Sequence, residues 1–336
     1  MNAHPSIRVA VGVIALGVTL LSTSTVVLAQ AWTPAPGEGT VSIQFQDTFV
    51  KYHQLPTIRL DRGHIRAETL LLDFTYGLTD KVELRVSLPY VASKYNGNRP
   101  HLLAPDFSQP NPVDDGAYHS TFQDFHFNVA YNISRKRLVL TPFVGTIMPS
   151  HGYEYFAHSA VGRDLRELQV GTYWAELLDA VLPGLFVQGR YSYGFAQHIL
   201  DISHNRSNLD VEAGYFITPE FRAFALAAGQ LTHGGVDLYG DSLSVLGPVL
   251  YPHHDQISRD NFLNLGGGAA YTLTPSVDVF GSVIHTQAGR NVHALQYGVT
   301  VGVSWSFVKG DTAARARGQA QNRRQAQTKA LAKCRC

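Results

Sequence analysis

Apolar and polar side chains alternate one by one along most of this chain, in stretches of about ten residues. The last stretch, from His293 to Phe307, is the plainest. Leu295, Tyr297, Val299, Val301, Val303, Trp305 and Phe307 share one parity, and Ala294, Gln296, Gly298, Thr300, Gly302, Ser304 and Ser306 share the other. A period of two puts successive side chains on opposite faces of a strand. With turns read at Gly, Pro, Asn and Asp, the alternation predicts strands near 40–52, 65–76, 82–94, 121–133, 138–149, 165–177, 185–197, 207–217, 221–232, 260–273, 277–287 and 293–307. The implied fold class is all-β: an antiparallel transmembrane β-barrel of about 12 strands, apolar and aromatic outside, small and polar within. A soluble β-sandwich needs a dry core between two sheets, whereas here a small polar face runs through nearly every strand. Counts of ten or fourteen strands stay open, because the stretch from Leu243 to Leu250 could form another hairpin.

The connections also alternate. Tyr76–Lys81, Asn132–Arg137, Leu178–Gly184, Thr218–Glu220 and Thr274–Ser276 are short, while 95–120, 150–164 and 233–259 are long. Short periplasmic turns and long outer loops are the habit of outer-membrane barrels, with both termini in the periplasm. Arg8 is the only charge in the first 31 residues, Val9 to Leu21 is apolar, and Ala29-Gln30-Ala31 follows. Residues 1–31 therefore read as a secretory signal peptide cleaved after Ala31, residues 32–307 as the barrel, and residues 308–336 as a basic periplasmic tail, disordered or helical. No other run reaches the length of a membrane-spanning helix, so any span is made of strands. The expected location is the bacterial outer membrane, and the expected partners are outer-membrane lipid, the barrel-assembly machinery and small-molecule solutes, with no nucleic acid.

Composition agrees with this picture. Charged residues make up 16% of the chain, below the roughly one quarter of soluble domains, whereas Gly, Tyr and Phe number 30, 16 and 17. A mean hydropathy of −0.06 argues against a helical membrane protein. Both cysteines, Cys334 and Cys336, fall in the tail, so the barrel carries no disulfide framework. The tail from Val308 onward holds eight basic residues and one acid, leaving the barrel mildly acidic.

Parity also divides each strand between lipid and lumen. Phe125, Phe127, Val129 and Tyr131 would face lipid, opposite Asp124, His126, Asn128 and Asn132; Val82, Leu84, Val86, Leu88 and Tyr90 would face out, leaving Glu83, Arg85 and Ser87 inside. The same logic turns Glu167, Gln169, Gln188, Arg190, Asp210, Glu212 and Asp278 inward. The candidate permeation residues are thus Glu83, Arg85, Asp124, His126, Glu167, Arg190, Asp210 and Glu212. Such charges either form a salt-bridge network that fills the barrel or line a polar path. Twelve strands lie between filled eight-stranded barrels and wide porins.

The run Tyr76-Gly77-Leu78-Thr79-Asp80, followed by Leu88-Pro89-Tyr90, resembles the hallmark hairpin of outer-membrane transporters associated with meta-pathway phenol degradation. In that family a Gly-Asp pair opens the next strand after a long loop; this chain has Gln123-Asp124 there, a partial match. The resemblance implies a transmembrane barrel from about Gly39 to Phe307 that takes up small, often aromatic compounds. Tyr297, Trp305 and Phe307 mark the closing strand.

Candidate chemistry is thin. Ser120, His119 and Asp124 lie close in sequence, and Ser159 follows His158, but neighbours on a strand face opposite ways. No catalytic residues and no cofactor are expected. The functional expectation is passive uptake of small apolar or aromatic solutes; a closed structural or adhesive barrel is the alternative, and a lipid-modifying enzyme ranks behind both. Of 15 histidines, thirteen fall on long loops or outer strand ends. His253-His254-Asp255 is their densest cluster and a weak candidate for zinc, copper or nickel, but a hydrated surface tolerant of His is the plainer reading, so no metal site is expected.

Overall fold

The structure, a computed structural model, describes residues 31–239 and 242–308; the predicted signal segment through Gln30 and the tail beyond Val308 lie outside these described residues. Twelve strands form the barrel: β1 (Glu38–Gln54), β2 (His64–Gly77), β3 (Val82–Asn96), β4 (Asp124–Tyr131), β5 (Leu138–Pro149), β6 (Glu167–Leu177), β7 (Leu185–Ala196), β8 (His204–Phe216), β9 (Phe221–Gly234), β10 (Asn261–Thr274), β11 (Val277–Arg290) and β12 (Val292–Val308). Each pairs antiparallel with the next, and β12 pairs with β1, from Glu38 opposite Val308 to Gln54 opposite Val292. Closure removes the sheet edges that a bilayer could not satisfy. All twelve predicted strands are present. The stretch from Leu243 to Leu250 adds no hairpin, because Ser242–Leu250 is helical.

The outer wall is apolar at mid-height. Ile43, Phe45, Leu70, Leu72, Val129, Val144, Leu168, Val283 and Val301 are exposed there, as residues facing acyl chains must be. Rings gather toward the short turns: Phe74 and Tyr76 stack with Phe307, which lies 5.4 Å from Trp305. Toward the long loops, Tyr90 meets Phe122 edge-on and Phe49 stacks on Tyr297. Above these rings the outward side chains become charged, with Arg66 donating twice to Asp47 at 2.9 Å, which marks the upper limit of the lipid band.

Strict alternation breaks near the outer end of the closing pair. Tyr297 lies opposite Phe49 but Leu295 opposite Val50, so Gln296 is an extra residue; Lys51 is likewise unpaired before Tyr52 meets Ala294. These bulges reverse the parity beyond them. Leu295, expected on the lipid face, is buried inside with Val50 and Ile65, and Gln296, expected inside, is exposed. His53 and His293 become direct cross-strand partners.

The hairpin motif has its own local logic. Thr79 Oγ1 accepts from the backbone amides of Lys81 and Val82, while the amides of Leu78 and Thr79 donate to the Val82 carbonyl. The incoming segment runs so close to Gly77 that a Cβ there would sit 2.3 Å from the Ala35 carbonyl oxygen.

Candidate functional site

Glu83, Arg85, Asp124, His126, Glu167, Arg190, Asp210 and Glu212 lie on the inner face of the barrel, with Glu83 and Glu212 almost completely buried. Their contacts run along the wall. Arg85 Nε donates to Glu83 Oε1 at 2.7 Å on the same strand. Arg190 donates to Gln169 at 2.6 Å and lies 3.8 Å from Asp210; Gln169 donates to Glu167 at 2.7 Å, and Arg206 stands 3.9 Å from that carboxylate. Asp73 accepts from Gln44 and Ser87, on the strands either side of it. The longest reach is Arg85, whose guanidinium lies 4.0 Å from the Tyr173 ring centroid, three strands away.

The lumen is not uniformly small and polar, contrary to the alternation argument. Phe143, Phe186, Phe224 and Phe280 point inward, each laid over a glycine of a nearby strand. A Cβ on Gly171, Gly214, Gly268 or Gly302 would stand 2.7, 2.2, 2.8 or 2.4 Å from these rings, respectively. The glycines thus let bulky rings lie flat against the wall instead of projecting across the bore. On one side the apolar surface is continuous: Val50, Ile65, Tyr95, Ile284 and Leu295 cluster near the outer end, Phe224, Ala270 and Phe280 near the inner end, and Leu226 packs against both groups.

The inner end is narrowed by the start of the described chain. Ala31 is fully buried against Ala130, Val139, Phe143, Tyr173 and Ala175, and its carbonyl accepts from Thr141 Oγ1 at 2.6 Å. Ala31 is the last residue of the predicted signal segment.

At the outer end, the loops at 97–118, 150–166 and 235–260 fold over the mouth. One carboxylate organises two of them. Asp114 accepts from the backbone amides of His101 (3.0 Å), His158 (3.1 Å) and Ser159 (3.0 Å), and from Ser159 Oγ at 3.0 Å. Burial alone would raise this carboxyl, but the hydrogen bonds at His101 and the neighbouring His158 outweigh it and hold Asp114 well below the usual carboxylate range. The third loop is held by Asn291, in left-handed conformation at φ 56°, whose side chain accepts from the Leu238 amide and donates to Asp237 and the Arg259 carbonyl. Beneath these loops is a cavity of about 490 Å³ lined by His53, His101, His158, His254, His293 and Asp255, among others.

These five histidines form one connected cluster: ring centroids are 4.1 Å apart for His53 and His293, 5.1 Å for His53 and His158, 4.1 Å for His101 and His158, and 5.2 Å for His101 and His254. Sequence reasoning chose His253-His254-Asp255 instead. His253 turns away, its ring stacked on Tyr155 and its Nδ1 2.7 Å from Gln256 Oε1. The cluster draws on β1, β12 and three loops, and no linear spacing announces it.

Of the sequence-adjacent Ser and His candidates, His119 contacts Asp115, Ser120 contacts Tyr90, and Ser159 is bound to Asp114. A Ser-His contact does occur on the outward face, where Ser207 Oγ is 2.8 Å from His233 Nε2. Tyr191 and Tyr193 accompany it, and among the described residues no hydrogen bond from a carboxylate orients His233.

No protein-family model matches the sequence, and no curated protein matches it. Solved structures do. The chain resembles an outer membrane channel from Pseudomonas putida F1 with a TM-score of 0.62 at 10% identity, over 83% of this chain and 98% of that one. Weaker likenesses include the NanC porin, with a TM-score of 0.46 at 11% identity over 79% of this chain and 98% of that one. A third is the translocator domain of the autotransporter NalP from Neisseria meningitidis, with a TM-score of 0.45 at 13% identity, covering 82% and 90%. At these identities the likeness is one of fold. A closed antiparallel barrel with an apolar, ring-bounded outer wall has one solvent it can occupy: the protein is a twelve-stranded β-barrel of the bacterial outer membrane.

Proposed function

We propose that this barrel is a channel for passive diffusion of small apolar solutes, aromatic ones included. The observation that carries the reading is the apolar stripe from Val50, Ile65 and Leu295 through Leu226 to Phe224 and Phe280, in the same lumen as the charged Arg85 and Arg190. Hydrophobic surface left facing a water-filled bore costs free energy at about 25 cal/mol per Å², and a solute that covers it recovers part of that cost. The lumen charges make contacts along the wall, Arg85 with Glu83 and Arg190 with Gln169 and Asp210, which favours passage over closure. The Ala31 contacts and the folded outer loops favour the second reading, a closed structural or adhesive barrel. We propose no catalytic role for the Ser207-His233 contact, since among the described residues no carboxylate accepts a hydrogen bond from His233.

Liposome swelling with the purified barrel tests this reading. Neutral phenol-sized solutes are expected to enter faster through the wild type than through protein-free vesicles, and Leu226→Asn is expected to slow them without changing heat-modifiable gel migration. A wild-type barrel as impermeable as empty vesicles would reject the channel.

A further inference from the structure

The histidine cluster at the outer mouth is built in a way that a hydrated loop surface is not. Three overlapping sets place one ligand atom per residue within 4.8 Å of one another: His53, His158 and His293; His101, His254 and Asp255; and His101, Asp114 and His158. The third set is already committed, since the Asp114 carboxylate accepts four hydrogen bonds from the two loops it organises. The first is all imidazole. The second adds a carboxylate, and a divalent charge in a confined site needs that compensation.

Two details of the second set point to a cation. His254 Nδ1 lies 2.8 Å from the Tyr251 carbonyl oxygen, an acceptor, so this nitrogen carries a proton and Nε2 is the nitrogen open to a ligand. That Nε2 lies 3.3 Å from Asp255 Oδ1, a contact that needs positive charge between its members, supplied by a proton on the ring or by a bound cation. A metal-bound histidine ordinarily donates its other ring N–H to a carbonyl in this manner. Independently, Nδ1 of His158 makes no hydrogen bond although the residue is buried, and 4.1 Å away between ring centroids the buried His101 turns its Nδ1 toward the Asp114 carboxylate at 3.5 Å. A buried polar atom left unpartnered is costly, and an ion held in this cluster adds a partner for its nitrogens.

We propose that the outer mouth holds a binding site for a late first-row divalent cation of the zinc, nickel or copper class, with His101, His254 and Asp255 as its ligands. Imidazole nitrogen with one carboxylate oxygen suits those ions and suits calcium or magnesium poorly. The ligands come from the loops at 97–118 and 235–260, so the ion ties the two loops together across the cavity. The inference does not depend on whether the lumen conducts.

The test uses the full-length barrel in detergent, freed of metal with chelator and dialysed against zinc, nickel or copper at neutral pH. Bound metal is then measured by elemental analysis, and cobalt substitution reports ligand field from visible absorption. Saturable stoichiometric binding is expected, weakened about 10- to 100-fold by His101→Gln or by His254→Gln and unchanged by His253→Gln, the neighbour outside the set. Heat-modifiable migration verifies that each variant is folded, and if one is not, the wild-type cobalt spectrum still decides: intense tetrahedral or five-coordinate bands support the site, and the pale spectrum of hydrated cobalt overturns it. Absence of saturable binding by the wild type, or equal loss in His253→Gln and His254→Gln, also overturns it.

Discussion

At the residue scale, the decisive positions are those where a side chain and the backbone opposite it were fitted together. Phe186 lies where any Cβ on Gly214 would be, 2.2 Å from its ring. Gly214→Ala therefore forces the ring to rotate off the wall, and the free direction is the bore. The expected outcome is a folded, inserted barrel with slower solute entry in liposome swelling, and Phe186→Ala in the same background is expected to restore it. A second residue-scale prediction concerns Asp237, outside the membrane. Burial pushes its carboxyl up, but hydrogen bonds from Arg290 and Asn291 outweigh this and leave it below its ordinary value of 3.8. A carboxyl depressed in the folded state contributes stability that is complete above the unfolded value and is lost as pH falls through the folded one. The loop at 235–260 is thus expected to keep its amide protection at neutral pH and lose it below about pH 4, and Asp237→Asn to lose part of it at neutral pH already. Hydrogen exchange compared with the unfolded chain measures both.

At the element scale, closure depends on β12 keeping one face in lipid and the other in the lumen. Val301 and Trp305 are each 52% exposed on the outer wall, while Ser304 is buried inside. An arginine at Val301 or Trp305 is expected to cost about 2–4 kcal/mol at mid-depth and less near the interface, and to reduce assembly; Ser304→Arg should insert more readily. Gel migration of the three variants checks the order, and equal damage would contradict this facing. The strands themselves were legible because a bilayer on one side and a bore on the other enforce period two over every crossing. Two features of the same strand were not. Gln296 is an ordinary polar residue in a polar phase, and nothing in the residue string distinguishes a bulge from a regular pair; the reversal of Leu295 follows from that insertion, and the inward turn of His53 from the unpaired Lys51 on β1. Deleting Gln296 is expected to remove the bulge while leaving Leu295 and His293 inside and His293 opposite His53, observable as retained proximity between spin labels placed at 53 and 293; loss of that proximity would contradict the assigned bulge.

At the scale of the whole molecule, location was readable and the bore was not. Location follows from summed pattern: strand after strand with one lipid-compatible face, and a cysteine-free barrel region. The bore depends on how inward side chains meet across space. Parity placed Arg85 and Asp210 inside but could not tell a path from a plug, and it missed that aromatic rings share the same lumen by lying over glycines. The mouth was less legible still, since His101, His158 and His254 are brought together by loops with no periodicity to read.

The two whole-molecule readings part on what the charges do when removed. If Arg85 and Asp210 shape a path, Arg85→Ala and Asp210→Ala should change the relative entry of charged and neutral solutes while the barrel melts near its wild-type temperature. If they lock a closed barrel, Arg85→Ala leaves Glu83 buried and uncompensated, at about 3–5 kcal/mol, and its melt should fall without any gain or loss of flux. The Arg190-Asp210 pair is the more discriminating, because 3.8 Å between charges that remain partly exposed is a weak bond to lose. Its variant should therefore melt close to the wild type under either reading, and its effect on solute selectivity separates them. Swelling assays with neutral, cationic and anionic solutes, run beside a thermal melt of each variant, decide between them. Unchanged selectivity in Asp210→Ala together with an early melt in Arg85→Ala would retire the channel in favour of the closed barrel.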